Sequence, residues 1–559
     1  MKKEGDKLEN DLSLDKDRLS EQKTQMVKGS IWLVAGNLVS RLLGAVYIIP
    51  WYAWMGSHGN EANGLFSMGY NIYALFLLIS TAGIPGAVAK QTAKYNALKE
   101  YNVSKRLFLT GLKSMAVLGA IFAGVMFLAA PLLAEASGGG PELIPVMRSL
   151  AIAVFVFPCM SVIRGFFQGN NLMAPFSISQ VVEQLARVLY MLITAYIIMQ
   201  VRNGNYVDAV VQSTFAAFIG MIASFGVLLY FLLRERKVQQ RLELEHGVRN
   251  INVNSKELLI ETVRQAIPFI IVGSGVQLFK IVDQFTFSNI LSHVSNYTQA
   301  QLLDLFSIFS SNPDKLTMVI VALAASIAGT GLPLITENYT VGRKRELATL
   351  VSNNIQLFFF IMLPSAIGMT ILAQELYSVF YVPSPIGESL LAWAAIQSLM
   401  LGYYMLTSNM LQGMYQNRIT VKYLAFGLIT KLIFQFPCVY FFEVYGPMIS
   451  TFIGFAVSCT LITRLIRRVS FVNFKKIWKR VFLLVLMTVI MGIVTIIMSR
   501  LLHLFLSPDK KLTAFIIVLI SAISGGGVYM YLALATKIAD KLLGNRVVRI
   551  RNKLPGLGG

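Results

Sequence analysis

Along most of this chain, apolar residues run on without the polar interruptions that would turn one face of a helix or strand toward water. The runs recur at a length of roughly 20 residues, enough at about 1.5 Å per residue to cross a hydrocarbon core of roughly 30 Å. They lack the alternation of a barrel strand, and a backbone in lipid must satisfy its own hydrogen bonds, so membrane-spanning helices are expected. The pattern predicts fourteen spans, near residues 28–50, 65–89, 107–134, 143–167, 174–200, 208–233, 258–290, 313–338, 350–375, 387–414, 419–440, 446–466, 481–504 and 512–536. The fold class is therefore an all-α polytopic membrane protein.

The polar positions between the runs carry the orientation. Connections after even-numbered spans contain 23 Lys and Arg, in 90–106, 234–257, 339–349, 415–422 and 464–480, and those after odd-numbered spans contain three, Arg202, Lys510 and Lys511. By the positive-inside rule both termini are expected in the cytoplasm, in a multi-pass protein of the cell membrane. Residues 1–27 mix charges of both signs around no apolar core and read as a disordered cytoplasmic tail rather than a signal peptide. Residues 537–559, with Lys541, Arg546, Arg549, Arg551 and Lys553, read as a basic cytoplasmic tail that rests on anionic headgroups.

Composition agrees. The 559 residues are 55% hydrophobic and only 14% charged, with a mean hydropathy of +0.62, whereas soluble chains are charged at nearer a quarter of positions. The net charge of +21 is dispersed over loops facing one leaflet, so it does not form the compact basic face of a nucleic-acid binder. Cys159, Cys438 and Cys459 all fall inside spans, where they read as small packing residues rather than a disulfide framework.

The chain also repeats itself. RGFFQGNNLMAPFSISQVVEQLARV (164–188) aligns without a gap on SNMLQGMYQNRITVKYLAFGLITKL (408–432), placing Gln168-Gly169 on Gln412-Gly413 and Arg187 on Lys431 at an offset of 244. ISTAGIPGAVAK in the second span matches AGTGLPLITEN in the eighth, with Pro85 on Pro333 at an offset of 248. Six-helix units in parallel repeat imply a pseudo-twofold axis along the membrane normal. The expected organisation is an N-lobe at 28–233, a basic cytoplasmic linker at 234–257 and a C-lobe at 258–466. Residues 467–536 then add two appended spans behind a basic loop. Gln168, Gly169, Gln412 and Gly413 are read as cytoplasmic hinges between consecutive spans.

No enzyme constellation is found. Gly-Lys never occurs, which removes a Walker A loop, and the four histidines have no metal spacing. The one Asp-x-Asp, Asp15-Lys16-Asp17, lies in the tail. The expectation is a transporter with no catalytic motif, no metal and no cofactor. What remains is charge inside the membrane, where each ionised group near a helix centre costs about 2.5–3.5 kcal/mol and is a functional hypothesis by default. Arg41, Arg187, Lys280, Lys315 and Lys431 are the candidate cavity cations, with Glu183 and Asp283 as counter-charges or coupling groups. Glu183 and Arg187 stand four apart, and Lys280 and Asp283 three apart, so each pair shares a helical face and is either a structural ion pair or part of a cavity wall. A cavity with a positive balance suits an anionic substrate, and a phosphate or diphosphate most of all.

These features, with SRLLG in the first span, RGFFQG…SQVVEQLARV and DKLTMVIVALAASIAGTGLP in the eighth, resemble the MurJ family. They are most similar to its Gram-positive YtgP/SpoVB-like branch, within the superfamily of multidrug, oligosaccharidyl-lipid and polysaccharide exporters. The resemblance implies flipping of lipid II, an undecaprenyl-diphosphate-linked glycopeptide lipid, between leaflets of the bacterial membrane by alternating access. It implies a V-shaped pair of lobes around a cationic cavity, with the lipid tail beside the last two helices. Arg41 matches the family's first span-1 arginine, and Lys315 matches the arginine of its Asp-Arg-Leu. A second family arginine falls on Tyr47, and a double arginine falls near Leu77 and Leu78, so the diphosphate clamp is expected to be rebuilt from Lys280, Arg187 and Lys431. The sodium site of some members would fall on Asp283 here, but Lys431 puts an ammonium beside it, which argues against sodium coupling; the expected drive is the membrane potential or coupling to another ion. Other readings are a flippase for a capsule or spore-cortex precursor, a cation-coupled drug exporter, and a non-transporting scaffold that contacts the wall-synthesis machinery through its basic loops.

Overall fold

The computed structural model describes residues 46–81, 84–97, 100–170, 172–246 and 270–543, with single positions at 40, 43, 44, 257, 264, 267, 268 and 551. Described in chain order, the helices are α1 Ile48–Met55, α2 Gly59–Thr81, α3 Ile84–Ala97, α4 Tyr101–Leu128, α5 Ala130–Ala136, α6 Leu143–Gly169, α7 Met173–Tyr196 and α8 Tyr206–His246. They continue as α9 Gly275–Val294, α10 Gln299–Phe306, α11 Asn312–Thr340, α12 Lys344–Ile371, α13 Ala373–Phe380, α14 Pro385–Gly413, α15 Asn417–Phe442 and α16 Gly446–Ser470. The last are α17 Phe474–His503, α18 Lys511–Ala535 and α19 Ile538–Leu543.

The all-α expectation holds, and among the described residues eleven stretches are long and apolar enough to cross a membrane. One of them, Asn417–Ser470, contains the two predicted spans α15 and α16, broken at Glu443–Tyr445 where Glu443 adopts a positive φ of 45°. The predicted span at 28–50 lies mainly outside the described residues, and the one at 258–290 partly so. The first part of the expected linker, 234–246, continues α8, while 247–256 and most of both tails lie outside the described residues.

Among the described helices the first and second halves of the chain use the same pairings. In the first, α3 and α4 pack on α6, α6 packs on α8, and α7 pairs with α8. In the second, α11 and α12 pack on α14, α14 packs on α16, and α15 pairs with α16. Glycines mark equivalent close approaches, since a Cβ on Gly220 would sit 2.6 Å from the Glu183 carbonyl oxygen and 3.2 Å from Arg187 Cβ. One on Gly454 would sit 2.8 Å from the Gly427 carbonyl oxygen and 3.1 Å from Lys431 Cβ. Gly169 and Gly413, which end α6 and α14, press against Ala89 and Thr92 of α3 and against Leu332, Ile335 and Thr336 of α11. Small residues let membrane helices approach where bulkier side chains would hold them apart. The appended α17 and α18 pair with each other and lean on α12 and α13 of the second half.

Candidate functional site

Glu183 on α7 answers the cost of its own burial by bridging two arginines. Its Oε2 accepts from Arg164 Nη2 at 2.8 Å and its Oε1 from Arg187 Nη2 at 2.7 Å. Arg164, on α6, also donates to Ser179 Oγ at 3.0 Å and Ser224 Oγ at 2.9 Å, so its guanidinium is tied to α7 and α8. Arg164 is thus a packing centre, and it leaves Arg187 only partly engaged: Arg187 Nε is buried without a hydrogen-bond partner in the protein. Burying such a donor unsatisfied costs about 1–3 kcal/mol, which is avoided when a ligand or water supplies the acceptor.

Arg187 lines a cavity of about 250 Å³ between the halves, with Tyr47, Tyr70 and Gln184 from the first half and Ser311, Asp314 and Lys315 from the second. Tyr70 OH is a second buried group there without a partner. Lys315 reaches the cavity from the start of α11, just after a π-helical turn, Ser307–Ser311, that links α10 to α11. Its ammonium lies 4.9–5.7 Å from the ring centres of Phe66, Tyr47 and Trp51 and donates to Asn63 Oδ1 at 2.7 Å. Aromatic faces stabilise the cation without neutralising it. Gly44 lines the same cavity; Arg41, three positions earlier in sequence, lies outside the described residues.

Beside Lys315 the halves are fastened together. Asn63 Nδ2 donates to Asn312 Oδ1 at 2.6 Å, and Asn312 Nδ2 donates to Asn60 Oδ1 at 3.0 Å and to Tyr377 OH at 2.9 Å. Gln284 Nε2 donates to the Met68 carbonyl oxygen at 3.1 Å and to Ser137 Oγ at 2.9 Å. Asn63 and Asn312 are 249 positions apart, close to the repeat offset. That spacing is the sequence signal that would have located the fastening.

Lys280, Asp283 and Lys431 enter two further ion pairs. Lys280 and Asp283 share a face of α9 but do not pair: Lys280 Nζ contacts both oxygens of Asp314 at 2.6 Å, and Asp283 Oδ1 accepts from Lys431 Nζ at 2.6 Å. Lys431 also donates to Thr451 Oγ1, and Gln435 Nε2 donates to Asp283 Oδ1 at 3.1 Å. Lys431 is 0% exposed. Its ammonium is directed at Asp283 and Thr451, and it does not line the cavity of Arg187. Lys280, Asp283 and Asp314 border a smaller cavity of about 100 Å³, and Asp314 borders both. Among the described residues no His, Cys, Asp and Glu group could hold a metal ion.

Comparison with known proteins places this geometry. The family model for the polysaccharide biosynthesis protein matches residues 26–339. The lipid II flippase MurJ of Bacillus subtilis (strain 168) is 32% identical over 537 residues, covering 94% of this chain and 98% of that one. Stage V sporulation protein B of the same organism is 29% identical over 166 residues, covering 30% of this chain and 32% of its own. Among solved structures, a lipid II flippase MurJ in an inward closed conformation matches with a TM-score of 0.59 at 14% identity, covering 91% of this chain and 99% of that one. An inward-facing multidrug resistance MATE family transporter matches with a TM-score of 0.59 at 15% identity, covering 78% and 98%.

Proposed function

The chain belongs to the polysaccharide biosynthesis protein family, and from that premise we propose that it flips lipid II, the undecaprenyl-diphosphate-linked peptidoglycan precursor, across the bacterial cell membrane by alternating access. The observation that carries this reading is the cavity between the halves, where Arg187 Nε and Tyr70 OH are buried without partners opposite the ammonium of Lys315. A diphosphate accepts several charge-assisted hydrogen bonds at once and satisfies donors from both halves. Arg41 is assigned to the same clamp, and the termini to the cytoplasm. An apolar groove of about 450 Å³, lined by Phe360, Pro364, Gly368, Met491, Gly526 and Met530 among others, takes the polyprenyl chain beside α17 and α18.

The cavity couples to the fastening through Lys315. A phosphate oxygen that takes the ammonium withdraws it from Asn63, and Asn63 is then held by Asn312 alone. Substrate binding thereby loosens the contact that keeps the halves together. A ligand shifts such an equilibrium only by its difference in affinity for the two states, and here the difference is the exchange of one acceptor at Lys315 for another.

Expression in a strain depleted of its own lipid II flippases, with lipid II accessibility at the outer surface as readout, tests the reading. Full-length chain restores exposure, and Lys315→Ala and Arg41→Ala lower it at equal expression. Full exposure with both variants would remove the clamp. Failure of the unmodified chain to restore exposure, with inner-leaflet lipid II accumulating, would move the substrate to another undecaprenyl-linked glycan.

A further inference from the structure

A cleft with no lining residue in common with the cavity of Arg187 lies at the corner where α16 ends and α17 begins. It has a volume of about 1000 Å³ and is lined by Arg467, Val472, Asn473, Phe474, Lys475, Trp478, Lys479 and Phe482. Three of these are cations and none is an acid. Among the described residues none of the three has a salt bridge, whereas Arg480 on the neighbouring face is engaged, donating to Gln356 Oε1 at 2.8 Å. Lys475 and Lys479 stand four apart on one helical face, where like charges repel by a few tenths of a kcal/mol unless an anion lies between them. Two amide donors of the first turn are already used, since Asn473 Oδ1 accepts from the Lys475 and Lys476 N–H groups at 3.1 and 3.4 Å. Recognition at this corner is therefore a matter of side-chain cations.

The apolar walls say what kind of anion fits. Trp478 is 55% exposed and Phe482, one turn deeper on the same strip, 71% exposed. Cation and aromatic alternate along the strip, with the charged end toward the basic loop and the aromatic end toward the run of apolar residues that crosses the membrane. Tryptophan favours this boundary because its ring is amphipathic. A free phosphate would use the lysines and leave the aromatics idle; an amphiphile uses both.

We infer that this corner is a binding site for an anionic glycerophospholipid, its phosphate held by Arg467, Lys475 and Lys479 and an acyl chain lying on Trp478 and Phe482. The site is independent of which lipid-linked glycan the central cavity carries. It would anchor the start of α17, and with it the apolar groove, to the leaflet that carries most of the acidic lipid.

Trp478 is the probe. The full chain and a Trp478→Phe variant are placed in phosphatidylcholine nanodiscs containing increasing brominated phosphatidylglycerol or, at equal bromine, brominated phosphatidylcholine. The difference in fluorescence between the two proteins reports quenching at Trp478. The anionic lipid is expected to reach half-quenching at a several-fold lower mole fraction than the zwitterionic one, and Lys475→Ala with Lys479→Ala is expected to abolish that preference. Lys510→Ala with Lys511→Ala, at the opposite end of α17–α18, is expected to retain it. Equal quenching by both lipids, preference surviving loss of Lys475 and Lys479, or displacement by excess inorganic phosphate would each overturn the assignment.

Discussion

Arg187 and Lys431 stand at equivalent positions in the two halves, each pressed against a glycine of the next helix, yet one reaches a cavity and the other has no exposed surface. The difference begins one turn earlier. Glu183 sits beside Arg187, and at its counterpart, Gly427, a Cβ would meet Ser458 Oγ and lie 2.6 Å from the Gly454 carbonyl oxygen. The packing of α15 on α16 at this position leaves no room for a carboxylate on α15 itself, and the counter-charge comes from α9 as Asp283. In the first half two arginines share one carboxylate and a donor is left over; in the second half one ammonium is matched by one carboxylate and closed off by Thr451 and Gln435. The equivalent cation thus borders a cavity in one half and is closed into the interior in the other.

The largest effect expected from this contrast is on stability in the second half. Removing one partner of a buried ion pair leaves an uncompensated charge and costs about 3–5 kcal/mol. Asp283→Asn should therefore lower the thermal unfolding midpoint in detergent sharply, and combining it with Lys431→Met should recover most of the loss. If the double variant is no more stable than Asp283→Asn alone, the closed network is not a compensated pair and the contrast with Arg187 fails.

Arg187→Lys probes the open member. The lysine keeps the charge and can still reach Glu183, and Arg164 holds Glu183 in any case, so folding should be little changed. What disappears is the second donor toward the cavity. A hydrogen bond to a charged group contributes about 1.5–3 kcal/mol, which corresponds to roughly a 10- to 100-fold loss in affinity for a diphosphate lipid, measurable by titration of the purified protein. Unchanged affinity would place the diphosphate elsewhere.

Much of this contrast was legible before any coordinates. The length and monotony of the apolar runs fixed an all-helical membrane fold, and the gapless match at an offset of 244 put Arg187 on Lys431. The pairing of Glu183 with Arg187 follows from four-residue spacing, because neighbours on one helix are set by its pitch. The same logic misled at Lys280 and Asp283, which share a face but reach across to Asp314 and Lys431. Periodicity states which groups could meet on one helix; it is silent on a stronger partner 148 residues away. Arg164 was visible as a charge, but its three-way anchoring to Glu183, Ser179 and Ser224 depends on how α6, α7 and α8 cross. Only the packed structure distinguishes a cation with a donor to spare from one with none.

The smallest expected effect separates the two networks by conformation rather than by stability. Asn63→Ala removes the acceptor of Lys315 and the donor to Asn312, and Thr451→Val removes one acceptor of Lys431. Each deletes contacts contributing on the order of 1 kcal/mol. Under the proposed alternating access the fastening lies between the two bodies that part, so the first loss should shift the ratio of closed to open molecules about fivefold. The Lys431 network lies within one half, and there a loss of the same size lowers stability without moving one body against the other. Spin labels at His58 and Ala300, both exposed and on opposite halves beside the fastening, report the distinction as a change in the distance distribution. Asn63→Ala should broaden it toward longer distances and Thr451→Val should leave it as in the parent protein. Equal responses would mean that Lys431 also belongs to the moving contact, and that the second half keeps its cation for motion rather than for the interior.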